Sequence, residues 1–438
     1  MNSFLRGIFN VDHSFWLGFI AGVLFAWILT KIHHYLPQTP KLARRTFDAL
    51  SEFFRQGIEQ RYRADILRFA QRQHLASPMS PLDEILIPPQ CMVRPVEVFH
   101  DNQTLPVDTI NLTVPYIPDW PELGATYQTP KISVLDALQN RACIALAGNP
   151  GSGKTVALAH IASMMARKSG EAGNLANLIP IFIHSIDISE QPDSEQAPDF
   201  PTIFGEAISH QISAINLLRL PRFIQSALET NRAVLLLDGL DELPPGRIRS
   251  LHTFLSIFIQ QYPQAQIIAS VSFENLAGLP SLGFHVLALA AWGNAENHEF
   301  IKKWQDLWQK LTSKSDQGQL QWNAQQYLSG WLSVQSIPCT PVEMTLKVWG
   351  AFAGDLLGSD ECSAIEAYLR RVTPSPGKHR DALERLALQM IESLNPATHP
   401  RQADNPPVPS DLSDTGLLFT HPGGRLRFAT PVITGYLA

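Results

Sequence analysis

Short apolar runs alternate with amphipathic stretches through the middle of this 438-residue chain. Each apolar run has the length of a buried strand, and the segments between them have apolar residues at helical spacing. Strands separated by helices predict an α/β fold with a parallel, doubly wound sheet. The predicted strands cover 142–147, 179–186, 233–238 and 265–271, and the predicted helices cover 153–168, 204–215, 221–230 and 246–261.

The pattern changes after about residue 295, where strand-like runs fade and helical periodicity continues. We therefore expect an α-helical domain over residues 293–400. The final segment, 401–438, contains LLFTHPGGRLRF, in which Pro422-Gly423-Gly424 predicts the turn of a hairpin, and a short helix follows. This order predicts a winged-helix-like segment at the C-terminus.

One further apolar run lies near the N-terminus, at residues 15–32, and Lys31 is its only charged residue. About 18 residues is near the lower limit for a membrane-spanning helix, so we predict a transmembrane anchor within residues 1–35. A cleaved signal peptide and a buried helix are the alternatives, although no small-residue cleavage site follows the run. Nine Lys or Arg residues lie between Lys31, at the end of the run, and Arg72, and one precedes the run, which predicts a single-pass protein with a cytoplasmic C-terminal body.

Two segments connect the predicted anchor to the predicted sheet. Residues 36–75 have the pattern of a basic amphipathic helix, which could lie on anionic lipid, pack against a partner helix or pack against its own protein. Ten prolines punctuate residues 76–130. They predict a linker with short extended pieces rather than a packed domain.

Composition and charge narrow the function classes. A hydrophobic content of 45% is typical of a globular protein, and a net charge of −6 argues against a nucleic-acid-binding surface over the whole molecule, so no nucleic-acid partner is expected. The four cysteines have no C-x-x-C spacing and predict neither a zinc site nor a disulfide framework. Reduced thiols in a cytosolic body are the simplest interpretation.

The strongest chemical signal is GNPGSGKT, an intact G-x-x-x-x-G-K-[ST] motif between a predicted strand and a predicted helix. In such a loop the backbone N–H groups surround a phosphate, and the lysine reaches the β and γ oxygens. The last hydroxyl is the one that such loops give to Mg²⁺, which makes Thr155 a candidate metal ligand. The predicted nucleotide contacts are Gly148, Asn149, Pro150, Gly151, Ser152, Gly153, Lys154, Thr155 and Val156.

A second motif, AVLLLDGLDEL over Ala233–Leu243, follows the phosphate loop. Asp238 ends an apolar strand, at the edge where parallel sheets place their ligands. Its carboxylate is a candidate Mg²⁺ ligand beside Thr155. Asp241 and Glu242 follow three and four residues later, and we predict that they orient or deprotonate the attacking water.

Together, GNPGSGKT and LLLDGLDEL resemble the NACHT branch of the STAND signal-transduction P-loop NTPases. The resemblance covers about 132–438 and implies a nucleotide-binding domain over 131–292, then a helical domain and a winged helix. It also implies an ADP-bound resting form that exchanges to ATP, with Mg²⁺, and oligomerises. Pro341 resembles the family's proline that abuts the adenine, and adenine rather than guanine is implied by the family alone.

Two positions depart from the family pattern. Val271 stands where the sensor strand commonly ends in arginine, and Thr430 stands where the winged helix often has a histidine that touches phosphate. Both departures leave nucleotide binding intact, since the loop supplies most contacts. They make efficient hydrolysis or tight ADP locking less expected.

These observations predict a membrane-anchored signalling switch or oligomerisation scaffold with slow ATP hydrolysis. We expect a homo-oligomer on activation and a separate, unidentified protein partner. One alternative is a membrane-associated ATPase motor of another P-loop class. The other is a structural adaptor in which the nucleotide stays permanently bound.

Overall fold

The computed structural model describes the chain in separate ranges. They are 57–93, 131–139, 143–188, 198–311, 339–355, 362–373, 376–400, 412 and 415–438. The chain divides into two units, Met1–Gln60 and Arg61–Ala438. The predicted anchor at 15–32 lies outside the described residues, and among the helices that are described none is long and apolar enough to cross a membrane.

Seven strands form one sheet within the described part of the second unit, in the order β2-β1-β7-β3-β6-β5-β4. Neighbouring strands from β7 to β4 are parallel, whereas β1 pairs antiparallel with both β7 and β2. The α/β fold predicted from the sequence is therefore confirmed, with an antiparallel edge that the pattern did not reveal. The strands are β1 (Gln90–Val93), β2 (Ile132–Ser133), β3 (Ile144–Ala147), β4 (Ile179–His184), β5 (Ala233–Asp238), β6 (Gln266–Val271) and β7 (His285–Leu289).

The central strands are buried at every position, which explains why they appear in the sequence as unbroken apolar runs. Side chains alternate between the two faces of a sheet, so complete burial means that both faces are covered. The register places His184 opposite Asp238, and Ala147 opposite Val271. Because these strands are parallel, their carboxyl ends lie at one edge, where the candidate site forms.

Thirteen helices are seen in the described ranges, together with several short 3₁₀ turns. They are α1 (57–70), α2 (Leu82–Ile85), α3 (Val134–Ala137), α4 (Lys154–Ala166), α5 (Phe200–Ala207), α6 (Ala214–Leu217), α7 (Leu220–Glu229), α8 (Pro245–Gln261), α9 (Asn294–Leu311), α10 (Pro341–Phe352), α11 (Cys362–Val372), α12 (Pro376–Glu392) and α13 (Pro431–Leu437).

Residues 76–93 are part of the folded body, so the linker predicted from proline content is wrong for this stretch. Cys91 is fully buried in β1 and pairs with Leu289 of β7. Pro88 and Pro89 come just before the strand, where a missing N–H removes no ladder hydrogen bond. The rest of the predicted linker, 94–130, lies outside the described residues.

Within the second unit, α1 packs against its own protein, which was one of three alternatives for the amphipathic helix. The Tyr62 hydroxyl donates to the Pro180 carbonyl at 2.8 Å, and Arg63 donates through Nη2 to the Leu178 carbonyl at 2.9 Å. Asp65 accepts from the Ser213 hydroxyl at 2.7 Å. Three buried polar side chains therefore fix this helix to the body that contains the sheet.

A hydrophobic core in the C-terminal part of the chain contains Trp304, Phe352 and Tyr368 from the helical region, and apolar residues between positions 75 and 87 also contribute to it. A hairpin of β8 (Leu418–His421) and β9 (Arg425–Phe428) contributes Phe428 to the same core. The predicted hairpin is confirmed, with the Pro-Gly-Gly turn between its strands. The helical region and the hairpin therefore share one apolar core.

Candidate functional site

The phosphate loop, Gly148–Thr155, connects the end of β3 to the start of α4. Gly151 and Gly153 adopt φ values of +81° and +91°, a conformation that favours glycine. Gly153 caps α4 without any side-chain hydrogen bond. The first N–H groups of the helix therefore point into the loop, where they carry the partial positive charge of a helix N-terminus.

The loop is also too tight for larger residues and contains an unpaired hydroxyl. A Cβ atom at Gly148 would lie 2.4 Å from Ser152 Oγ. Ser152 Oγ is buried and has no hydrogen-bond partner among the described residues. A close-fitting turn with exposed donors and an unpaired buried hydroxyl fits a bound oxyanion.

Lys154 lies across this loop. Its Nζ donates to the carbonyl oxygens of Gly148 at 2.8 Å and Asn149 at 3.2 Å. The same nitrogen lies 3.2 Å from Asp241 Oδ2. The cation predicted to bind the β and γ oxygens is thus held between the loop and the second motif.

Asp238 meets the loop from the end of β5. Its Oδ2 accepts a 2.7 Å hydrogen bond from the Thr155 hydroxyl, and its Oδ1 accepts one of the same length from Ser270. The structure thus brings the two predicted Mg²⁺ ligands together, and a carboxylate beside a hydroxyl suits this ion. Ser270 was not predicted, because a serine within an apolar β6 has no distinctive sequence signal.

The two candidate catalytic acids have different surroundings. Burial raises the pKa of Asp241 despite the opposing charge of Lys154. Burial raises the pKa of Glu242 to about 7, and Arg427 opposes that rise. Glu242 is 17% exposed, with Oε1 3.6 Å from Arg427 Nη1 and Oε2 3.6 Å from His184 Nε2. A carboxylate with a pKa near neutrality is suited to accept a proton from water.

A cavity of about 620 Å³ lies over these groups, and we call it the phosphate cavity. One wall is formed by the phosphate loop and the second motif. The opposite wall comes from the helical region and the C-terminal segment. The residues of that wall include Pro341, Val342, Met390, Ile391, Leu394, Phe419, Arg427, Phe428 and Thr430.

Pro341 reaches the loop at the start of α10. The next residue, Val342, donates its N–H to the Gly151 carbonyl at 3.2 Å. Pro341 and Val156 also line a smaller adjoining cavity of about 80 Å³, together with Pro88. The structure therefore places Pro341 beside the loop, and its contact with adenine stays a prediction.

The two departures from the family pattern have structural roles. Val271 is fully buried at the end of β6, and its carbonyl accepts from the Gly148 N–H at 3.1 Å. Thr430 caps α13 by accepting from the Val432 N–H at 3.4 Å, while also lining the phosphate cavity. Neither residue supplies a positive charge to the cavity.

Arg427 is a cation at the site that sequence reasoning missed. It lies two residues after Arg425 on β9, and the strand period of two was the available signal that both point to one side. Arg425 donates to Asp187 Oδ1 at 2.8 Å, and His421 Nδ1 lies 2.8 Å from Asp187 Oδ2. We call Asp187, His421, Arg425 and Arg427 the hairpin network.

Comparison with known families agrees with this geometry. A family model of the NACHT domain matches residues 142–306. These residues form a NACHT domain. The matched segment contains the phosphate loop, Asp238, Asp241 and Glu242, and it extends from the start of the central sheet into α9. The NACHT domain is thus the part of this chain that carries the P-loop NTPase motifs.

Two solved structures show weak similarity to the chain. A Walker-type ATPase of Pyrococcus abyssi is 14% identical, with a TM-score of 0.32, and the match covers 69% of this chain and 92% of that chain. The Orc1 protein of Aeropyrum pernix, solved in complex with DNA, is 13% identical with a TM-score of 0.33, covering 64% and 75% respectively. No curated protein matches this chain.

Proposed function

We propose that this protein is a signalling switch that binds ATP or ADP with Mg²⁺ in the phosphate cavity and hydrolyses ATP slowly. The observation that carries the proposal is the composition of that cavity. The NACHT domain forms one wall, and the helical region and C-terminal segment form the other. A ligand bound there contacts both walls, so ligands that differ by one phosphate can favour different packings of those parts.

The residues of the NACHT domain have distinct roles in this proposal. The loop N–H groups and Lys154 hold the phosphates, and Thr155 with Asp238 holds Mg²⁺. Bound nucleotide and metal supply an activated phosphoryl group. Glu242 orients water and accepts its proton, because its raised pKa lets it do so near neutral pH.

A direct contact links the loop to the helical region. The Val342 N–H donates to the Gly151 carbonyl, so α10 begins against the backbone that surrounds the phosphates. A change in loop geometry on exchange of ADP for ATP would therefore alter this contact. We expect it to change the packing of the second wall and to expose surface for self-association.

The proposal is tested on the full-length chain, purified in mild detergent. Bound nucleotide is identified, and mass is measured by light scattering with ADP and with a non-hydrolysable ATP analogue. We expect a larger assembly with the analogue, and no response to either ligand in the Lys154→Ala protein. Lys302→Ala, at an exposed position of α9, is the control that should behave as wild type.

Two other results would replace this proposal. Turnover faster than about one per second that depends on Glu242, with no change in mass, would indicate a motor. Co-purified ADP that excess ATP does not displace would indicate an adaptor with a permanent nucleotide. The first result contradicts slow switching through the turnover rate and the mass, and the second contradicts it through nucleotide exchange.

We also propose that residues 15–32 anchor the protein in a membrane, with the NACHT domain on the cytoplasmic side. Support comes from the apolar run and from the basic residues that follow it. The protein should stay with membranes through alkaline carbonate extraction, and Leu24→Arg should release it. Leu218→Arg, at a position that is 95% exposed, is the matched control. Release of the wild-type protein by carbonate would contradict anchoring.

A further inference from the structure

Arg427 is a buried cation that faces the phosphate cavity from outside the NACHT domain. Its side chain is 6% exposed, and it lies on β9, 185 residues after Glu242 in the chain. Among the described residues that line this cavity, Lys154 and Arg427 are the two that carry a permanent positive charge. Three carboxylates, Asp238, Asp241 and Glu242, line the same space.

The hairpin network fixes how Arg427 points. Its Nε donates to His421 Nε2 at 3.3 Å, so that ring nitrogen is an acceptor and the proton of the neutral imidazole is on Nδ1. Nδ1 in turn donates to Asp187 Oδ2 at 2.8 Å. The Arg427 guanidinium also lies 5.7 Å from the centre of the Phe419 ring. His421, Asp187 and Phe419 are thus positioning residues for this guanidinium.

The other end of the guanidinium points to the second motif. Nη1 lies 3.6 Å from Glu242 Oε1, which is close enough for charge attraction but longer than a hydrogen bond. Burial, together with the negative charges of Asp238 and Asp241, is unfavourable for ionised Glu242, and this is consistent with its raised pKa. The terminal nitrogens of Arg427 can therefore donate hydrogen bonds to an anion that comes closer to them than Glu242 does.

We propose that Arg427 binds the γ-phosphate of ATP within its own chain, in a role that neither Val271 nor Thr430 fills. This inference rests on the proposed function, in which Glu242 orients the water that attacks the γ-phosphate. A group beside Glu242 is therefore beside the γ-phosphate. The β-phosphate is held further back, by the loop and Lys154.

Discrimination between ATP and ADP follows from this position. ATP offers Arg427 a charged oxygen that accepts hydrogen bonds from both outer nitrogens, and planar guanidinium groups bind phosphate in this paired manner. ADP lacks that group, so Arg427 stays beside Glu242. When ATP is bound, Arg427 therefore links the hairpin to the nucleotide, and Glu242 is available to orient the water.

The test compares ligand affinities rather than turnover. Full-length wild-type, Arg427→Gln and Arg427→Lys proteins are titrated with ADP and with a non-hydrolysable ATP analogue, both with Mg²⁺, by calorimetry. We expect Arg427→Gln to weaken binding of the analogue by about tenfold or more, the range for a charged hydrogen bond, and to change ADP binding by less than about twofold. The affinity of Arg427→Lys for the analogue should lie between those of the wild type and Arg427→Gln, because lysine keeps the charge and loses the planar pair of donors.

Arg222→Gln is the matched control, since this arginine is exposed on α7. Equal weakening of both ligands in a protein that still melts cooperatively would overturn the inference, and so would no weakening of either. If Arg427→Gln does not fold, Arg427→Lys is judged by the same criteria, from the ratio of its affinity for the ATP analogue to its affinity for ADP. A wild-type protein that binds neither ligand would instead remove the proposed function itself, whatever the Arg427 variants do.

Discussion

The Thr155 hydroxyl donates a 2.7 Å hydrogen bond to Oδ2 of Asp238, although 83 positions separate the two residues. The contact forms because α4 begins, and β5 ends, at the same edge of the sheet. Ser270 binds the other oxygen of Asp238, so the carboxylate is held in one orientation. Such fixed geometry is expected of a metal ligand, whose supporting contacts set its direction.

Asp238→Asn should remove most of the Mg²⁺-dependent part of ATP affinity, because an amide keeps the hydrogen-bonding shape but lacks the charge. The measurement is calorimetric titration of ATP with Mg²⁺ and with EDTA. Asp306→Asn, at an exposed position of α9, should leave both values unchanged. An unaltered effect of Mg²⁺ in the Asp238→Asn protein would exclude this residue as a ligand.

Lys154→Ala should abolish detectable nucleotide binding, since it removes the cation that reaches the phosphates. It also removes the partner of Asp241, whose carboxylate lies 3.2 Å from Nζ. Binding of a fluorescent ATP analogue measures the effect, with Lys302→Ala as the exposed control. Wild-type affinity in the Lys154→Ala protein would show that the loop does not hold phosphate in the way described.

In the proposed function, the raised pKa of Glu242 should make the rate of ATP hydrolysis depend on pH. A base must be deprotonated to accept a proton, so turnover should rise with pH and reach half its maximum near pH 7. Glu242→Gln should be slower and should lack this titration. A wild-type profile that stays flat between pH 5.5 and 8.5, as tested in steps of about half a unit, would contradict the role of base.

The same shift also affects stability, with the opposite dependence on pH. Glu242 in the folded protein has a pKa above its ordinary 4.5, so between pH 4.5 and 7 the folded state binds more protons than the unfolded state. The contribution of Glu242 to stability therefore falls as pH rises through this window. The melting temperature of the wild type relative to Glu242→Gln should fall correspondingly, and a constant difference would contradict the shift.

Gly239→Ala should destabilise the protein by about 2 kcal/mol. Gly239 has a φ of +70°, and an added Cβ would lie 2.3 Å from His184 Nε2. The backbone has little freedom to relax, because its N–H donates to Ser270 Oγ at 2.8 Å and its carbonyl accepts from Ser185 Oγ at 2.7 Å. Gly246→Ala in α8, where nothing lies within 4 Å of the added Cβ, should leave the stability unchanged. The free energy of unfolding of both variants is measured by urea titration.

Asp187→Ala should loosen the C-terminal hairpin selectively. Its side chain is fully buried, pairs with the Arg425 guanidinium and accepts a hydrogen bond from the neutral His421 ring. Its loss therefore leaves a partly buried guanidinium and a buried N–H without their partner, at a cost of about 2 kcal/mol or more. Hydrogen exchange should become faster in β8, β9 and α13 before it changes in the central sheet. Asp136→Asn, exposed on α3, is the control, and unchanged protection of the hairpin would contradict the prediction.

Local sequence was sufficient for the parts of the site that a single turn creates. The phosphate loop has its strand, glycines, lysine and helix in continuous sequence, and Asp238 follows directly from an apolar strand. Their positions could be predicted because each depends on neighbouring residues and on the general geometry of parallel sheets.

Contacts between distant segments could not be predicted in this way. Arg427 approaches Glu242 only because the hairpin packs against the NACHT domain, and no local pattern specifies that docking. β1 was likewise not predicted, because the many prolines around it indicated a linker and a four-residue strand gives only a short sequence signal. In both cases tertiary packing decided the outcome, and a single sequence carries no direct record of pairings at long range.

The insertion of β1 between β2 and β7 has a practical consequence for the NACHT domain. A fragment starting at residue 142, where the family match begins, would leave β7 with a row of unpaired N–H and C=O groups on one side. Such an open edge pairs readily with other chains, so the fragment should aggregate. A fragment that retains β1 and β2 should keep this edge closed, which makes the strand from outside the family match a requirement for soluble expression of the domain.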